Sequence, residues 1–129
     1  MNVILATNQK HFADAFRIRT TVFIGEQSVP VQEEIDDYDC FVPIFIAYED
    51  EKALGTARVI IKNKDIAKIG RVAVLKEARK KGFGKNLMLE AMSYIKGQTT
   101  AKEIQLDAQL TAVKFYESLG FTSYGEVFK

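Results

Sequence analysis

The sequence predicts an α+β fold in which helices flank a mixed, mostly antiparallel central sheet. Three observations carry that expectation. Three runs rich in β-branched and aromatic residues lie between Val42 and Val74, joined by short polar turns, which is the pattern of an antiparallel meander. A strand, a helix and a strand then follow over 69–108, and that order implies a right-handed crossover and a parallel strand pair. Near the N-terminus Phe12, Phe16 and Phe23 recur at helical spacing, with Ala15 and Val22 beside them.

The elements follow in order. Val3–Ala6 is a short apolar run, read as a first strand. Thr7 and Asn8 are good N-cap types for the helix after it, and Gly25 is placed to end that helix. Arg19 sits on the otherwise apolar helical face, so a buried partner is expected, either Glu26 or a residue of the acidic loop. Pro30 favours a helical turn starting there. Glu33, Glu34, Asp36, Asp37 and Asp39 place five carboxylates within seven residues. Such a run is ordinarily a solvated face, although it could also line a site for a cationic amine.

The meander comprises Val42–Tyr48, Leu54–Ile61 and Ile66–Val74. Pro43 implies pairing that begins late or on an edge, and Gly55 implies a bulge or a close approach. The next helix runs to about Lys96, buries Leu87, Met88, Ala91, Met92 and Ile95, and is expected to be capped by Gly97. Ile104–Ala108 alternates as a strand. Ala112, Phe115, Tyr116 and Leu119 mark a short helix stopped by Gly120, and Phe121–Phe128 reads as a last strand.

Composition narrows the function classes. The chain has 129 residues, 47% hydrophobic and 27% charged, which suits one compact domain able to bury a core without disulfides. A formal net charge of +1 gives no general attraction to nucleic acid or anionic membrane. Cys40 is the single cysteine and His11 the single histidine, so neither a disulfide nor a common zinc site is expected, and no metal. Cys40 also lacks a nearby histidine that would activate it as a nucleophile. The N-terminal apolar run is too short for a signal peptide, and the expected location is cytoplasmic.

The most informative stretch is Arg79-Lys80-Lys81-Gly82-Phe83-Gly84-Lys85, between the third meander strand and the following helix. Glycines let the backbone approach a ligand, and a helix start offers unpaired N–H groups and a positive dipole end. With four basic side chains beside them they make a seat for phosphate. A Walker loop would need glycine at Arg79 and Ser or Thr at Asn86, and a dinucleotide fingerprint would need glycine at Leu87. What remains is Arg-x-x-Gly-x-Gly directly after Val72-Ala73-Val74.

That motif resembles the acyl-CoA-binding motif of the GNAT superfamily of N-acetyltransferases. Further features agree in order. Ala112-Val113-Lys114-Phe115-Tyr116-Glu117-Ser118-Leu119-Gly120-Phe121 matches an Ala-x-x-Phe-Tyr-x-x-x-Gly-Phe signature. Arg19-Thr20-Thr21-Val22-Phe23, followed by Glu26-Gln27 and the acidic segment, resembles the ElaA/YjcF-like branch, as do Leu106-Asp107-Ala108-Gln109 and Gly125-Glu126-Val127-Phe128. The resemblance spans nearly the whole chain and implies α/β/α layers and a single domain over 1–129. Members of the branch continue past Glu-x-Phe into a loop and one more strand, whereas this chain stops at Lys129. The expectation is that the domain lacks that strand, or that a neighbouring copy completes the sheet in a homodimer, or that the chain is a cut piece of a longer one.

The resemblance also implies roles. The glycine loop, Arg79 to Lys85, would hold the pyrophosphate of acetyl-CoA. The strands Ile69–Val74 and Ile104–Ala108 would splay around the pantetheine arm, with main-chain groups of Val72 and Val74 bonding the arm and polarising the thioester carbonyl. Tyr116 would be the acid for the departing thiolate, since its ordinary pKa of about 10 keeps it protonated. Glu26 is the first choice of base, with Glu33, Glu34 and Asp36 behind it; these three could instead simply attract the small-molecule amine. The implied activity is direct acetyl transfer to that amine. The alternative is a non-catalytic CoA-binding module or sensor.

Overall fold

The computed structural model describes residues 2–34, 36–40, 42–106 and 112–122. Its sheet has five strands in sequence order: β1 (Asn2–Leu5), β2 (Ile44–Glu49), β3 (Lys52–Ile61), β4 (Ile66–Val74) and β5 (Glu103–Gln105). The first three pairings are antiparallel and the β4–β5 pairing is parallel, as the meander and the crossover require.

Alternation along the strands divides the core between two faces. Helix α1 (Gln9–Arg19) buries Ala15 and Ile18 against Ile44, Ile46, Ala53 and Ala73 on one face. Helix α3 (Phe83–Gln98) buries Phe83, Leu87, Met88, Ala91 and Ile95 against Phe45, Ala47, Leu54 and Ile69 on the other. The layers are therefore α/β/α. Short helices α2 (Val31–Glu34) and α4 (Val113–Ser118) complete the described elements, with 3₁₀ turns at Asp37–Cys40 and Lys76–Ala78.

Several local expectations hold for identifiable reasons. Asn8 is the α1 cap, its Oδ1 accepting the His11 N–H at 2.9 Å. The Glu33 and Glu34 amides bond the Pro30 carbonyl, so α2 begins where proline allows. Pairing in β2 begins late, at Ile44, but β2 is not an edge strand, because β1 covers its other side. Gly120 stops α4 with φ +99°.

Others are corrected. The first helix does not stop as a regular α-helix near Gly25. After Arg19 it widens into a π-helix over Thr20–Glu26. The Thr20 and Thr21 hydroxyls bond the carbonyls four residues back, on Phe16 and Arg17, and compete with the ordinary ladder. Gly97 lies inside α3 rather than capping it; the end comes at Thr99, whose Oγ1 bonds the Ile95 carbonyl at 2.6 Å. β5 ends at Gln105 rather than Ala108, and residues 107–108 lie outside the described part, as does 123–128 of the expected last strand.

Gly55 is the close approach foreseen for it. The β2–β3 register shifts beside it, and a Cβ there would stand 2.8 Å from Leu87 Cδ1 and 3.3 Å from the Ala73 carbonyl oxygen. This glycine lets α3 lie directly on the sheet. Gly55→Val should therefore overpack the joint and destabilise the fold by roughly 1–3 kcal/mol. Urea unfolding checks this: the double variant Gly55→Val/Leu87→Ala should recover part of the loss, and strict additivity would show that the two sites do not meet.

Candidate functional site

The basic glycine loop lies where β4 hands over to α3. Lys80 (φ +65°) and Gly82 (φ +89°) both adopt left-handed backbone, which lets the chain reverse tightly. Gly82 is the N-cap of α3 and no side chain caps the helix there. The Asn86 N–H bonds back to the Gly82 carbonyl at 3.0 Å, which leaves the N–H groups of Phe83, Gly84 and Lys85 in the uncapped first turn. Lys80, Lys81 and Lys85 are exposed around this end. Phe83 is different: the residue is 2% exposed and packs in the core, so it anchors the helix start and leaves only its main chain available at the loop.

Three contacts draw other candidate residues to this loop. A Cβ on Gly84 would lie 3.5 Å from Phe115 Cζ and 3.8 Å from Val74 Cγ2, so the loop, the end of β4 and α4 meet at one point. Tyr116 follows Phe115, its ring against Phe115 and Phe121 at centroid distances of 5.1 and 6.2 Å. Burial raises the Tyr116 pKa, and none of the described residues bonds its hydroxyl. Arg79 donates from Nε to the Val74 carbonyl at 3.0 Å and from Nη2 to both Glu26 oxygens at 2.9 and 2.8 Å. Glu26 is therefore held on Arg79, not open to an amine as the sequence suggested.

The described sheet pairing stops short of these groups. The described β4–β5 pairing ends at Lys68–Gln105, while β4 continues to Val74. On its other edge β4 departs from regular register with β3 between Thr56 and Arg58, opposite Gly70–Ala73, and Arg71 takes φ +49° there. The Leu75 N–H bonds the Leu54 carbonyl on the β3 side at 2.9 Å. Across that trans peptide the Val74 carbonyl points away from β3, and Val72, two residues earlier, presents its main chain the same way. Both valines thus turn main-chain groups away from β3, and there the Val74 carbonyl accepts the Arg79 Nε–H.

On the α1 face lies an ion network that sequence reading found only in part. Arg19 is fully buried and donates to Glu34 Oε1 (2.7 Å), the Glu34 carbonyl (2.7 Å) and both Asp39 oxygens (2.7 and 3.0 Å). Its expected partner is thus in the acidic loop rather than Glu26. Arg58 grips Asp36 with two bonds of 2.8 Å and adds one of 2.9 Å to Asp39. Arg71 donates from β4 to the carbonyls of Glu34 (3.1 Å) and Glu33 (3.2 Å). Glu34, 1% exposed, and Asp36 are therefore engaged by arginines, which corrects their reading as open substrate carboxylates; Glu33 stays exposed. Arg58 and Arg71 were missed. Their signal was a lone arginine inside an apolar strand, where a charge needs a partner.

The pKa directions follow the bonding. Hydrogen bonds from Arg58 hold Asp36 below the ordinary carboxylate value, against its partial burial. Burial alone would raise Asp39, but bonds from Arg19, the Asp36 amide and Arg58 outweigh it and the net direction is down. A separate cluster ties α1 to β2: the Tyr48 hydroxyl donates to Asp14 at 2.6 Å, and burial together with Asp14 pushes the tyrosine up to about 12. It borders an open groove of about 830 Å³ between α1 and the β2–β3 turn, into which Lys81 also faces. Among the described residues no helix is long and apolar enough to cross a membrane.

Comparison with known proteins bears on the same elements. The model of the acetyltransferase (GNAT) domain matches residues 41–123. The uncharacterized N-acetyltransferase YjcF of Bacillus subtilis is 33% identical over 126 residues, 98% of this chain and 89% of that protein. The crystal structure of Escherichia coli ElaA superposes with a TM-score of 0.89 at 24% identity, covering 99% of this chain and 91% of that one. AAC(6')-Iy, solved with a bisubstrate analogue, CoA-S-monomethyl-acetylneamine, superposes with a TM-score of 0.77 at 18% identity, covering 100% and 97% of the two chains.

The network makes acid sensitivity predictable. Asp36 and Asp39 have folded-state pKa values below the ordinary 3.8, so their stabilisation is complete above that value and is lost as the pH falls from it toward the lowered values. Asp39→Asn should remove much of that acid-dependent loss. It should also cost roughly 3–5 kcal/mol at neutral pH, because it strips a carboxylate from the buried Arg19. Urea midpoints at pH 7 and pH 3 measure both effects, and an unchanged acid slope in the variant would count against this assignment.

Proposed function

The chain belongs to the GNAT acetyltransferase family, in its ElaA/YjcF-like branch, and is an N-acetyltransferase; from that premise we propose that it transfers an acetyl group directly from acetyl-CoA to a primary amine of a small molecule. The observation that supports this most is the conjunction at the end of β4. An uncapped helix start with basic neighbours meets the end of β4 there, and the short helix that carries Tyr116 reaches the same point through Phe115.

In this reading the Gly82–Lys85 amides receive the pyrophosphate, with Arg79, Lys80, Lys81 and Lys85 adding charge. Val72 and Val74 bond the pantetheine arm and polarise the thioester carbonyl through their main chain. The neutral amine attacks the carbonyl carbon, the tetrahedral intermediate collapses, the C–S bond breaks, and Tyr116 gives its proton to the leaving thiolate. Burial suits Tyr116 to that step by keeping it protonated. The amine's own proton passes to water or to Glu26 once the pyrophosphate has drawn Arg79 away.

Two substitutions test the roles. Glu26→Gln removes the competitor for Arg79, so acetyl-CoA should bind up to about fivefold more tightly at low salt, the scale of an exposed ion pair. The gain should shrink as salt is added. Isothermal titration reads this, and weaker binding would make Glu26 a support of the loop instead.

Tyr116→Phe keeps the ring and its packing. Acetyl-CoA affinity should persist while thiol release with an amine falls by something like 10²-fold. Equal turnover under chemistry-limited conditions would remove Tyr116 from the acid role. A parent chain that binds acetyl-CoA but releases no thiol with any amine would favour a CoA-binding module.

A further inference from the structure

We propose that Arg71 reads a carboxylate on the acceptor, so that the amine substrate is an amino acid or a compound of that type, with a carboxylate a few bonds from the reacting nitrogen. This rests on the acetyl-transfer reading above and names the substrate class for the same site.

Three observations carry it. First, the arginines of the network differ in how they are satisfied. Every short carboxylate bond goes to Arg19 or Arg58. Arg71 holds only two main-chain carbonyls, and its nearest carboxylate oxygens stand at 3.5 and 3.7 Å, each already bonded to another arginine. Its Nη1 has no partner among the described residues, and the side chain is 30% exposed. A guanidinium presents five donors in a planar fork suited to a carboxylate, and this one keeps part of that fork unused.

Second, the arginine is only partly compensated where it stands. Burial lowers the Arg71 pKa, and the charges of Arg58 and Arg19 add to this against the opposing pull of Asp36 and Glu34. Third, its place is strained and specific. Arg71 adopts φ +49° at the irregularity in β4, a conformation that costs energy for a residue with a Cβ. It is the residue before Val72, whose main chain is assigned to the pantetheine arm. The α3 side of β4 is filled by core, so an acceptor reaches the thioester from the face that carries α1 and α2, where the Arg71 side chain lies. Exposed Glu33 beside it suits the ammonium end of a zwitterion before deprotonation.

The test uses ligands that resemble the product and needs no turnover. N-acetylglycine carries the transferred amide and a carboxylate; N-methylacetamide carries the amide alone. With CoA present, the parent chain should bind N-acetylglycine about tenfold more tightly than the uncharged amide, the scale of one charge-assisted hydrogen-bonded contact. Arg71→Gln should erase that ratio without changing CoA affinity. Arg71→Lys, which keeps the charge but not the fork, should keep part of it, and it serves as the folded control should the glutamine variant lose its thermal transition. Equal binding of the two ligands by the parent overturns the inference, even if simple amines are acetylated. If CoA itself does not bind, the acetyl-transfer reading fails, and the same two titrations on the CoA-free chain still decide whether Arg71 selects a carboxylate.

Discussion

A guanidinium with no exposure at all cannot remain without counter-charge, and the α1 side of this molecule is arranged around that constraint at Arg19. Removing such a group from water costs several kcal/mol, recovered only if its donors are satisfied at good geometry. Arg19 meets the condition through Glu34 and Asp39, which lie 15 and 20 residues further along the chain. The acidic segment is thereby folded back over α1 instead of standing in solvent. Arg58 shares Asp39 and extends the tie to β3. Apolar contacts alone would bury this face with several loop arrangements; directional bonds to two arginines select one.

A second constraint acts where β4 meets α3. Paired strands satisfy each other's N–H and C=O groups, so a break in register leaves groups to be satisfied elsewhere. Among the described residues β5 pairs with β4 through Lys68, β4 loses regular register with β3 near Arg71, and the Val74 carbonyl takes the Arg79 Nε–H. Close packing holds this end of the strand. Gly55 lets Leu87 of α3 press directly on the sheet, and Phe83 pins the first turn of the helix into the core. The first turn of α3 and the end of β4 are thus held by the same apolar layer.

Much of this was readable in the residues, and the exceptions share a cause. The order of elements, the meander, the loop before α3 and the short Tyr116 helix follow from local periodicity and from glycine and proline chemistry, which act over a few residues. The widening of the first helix at Thr20 was not readable, because it depends on which carbonyls two hydroxyls choose. The partners of Glu34, Asp36 and Glu26 depend on tertiary approach. Five carboxylates within seven residues look solvated until arginines from α1 and β3 are brought against Glu34, Asp36 and Asp39. The sequence reading did place the partner of Arg19 correctly as an acidic-loop alternative, since an arginine on an apolar stripe demands one. It lacked the same reasoning for Arg58 and Arg71, whose apolar strands posed the same demand.

Exposure then separates four arginines that composition treats alike. The side chains of Arg19 and Arg58 are 0% and 6% exposed and are bonded to carboxylates, although the buried Arg58 Nε has no partner among the described residues, while those of Arg71 and Arg79 are 30% and 40% exposed. A buried ion pair cannot exchange partners without paying its desolvation again, so the first two are part of the fold. A half-exposed pair is worth little against water and salt, so a ligand anion can displace it at small cost. Arg79 reaches the end of β4 at Val74, and Arg71 lies on the side of α2. Under the proposed function these two exchangeable cations would meet the two anionic ends of a substrate pair, while Arg19 and Arg58 hold the surroundings of β4 in place.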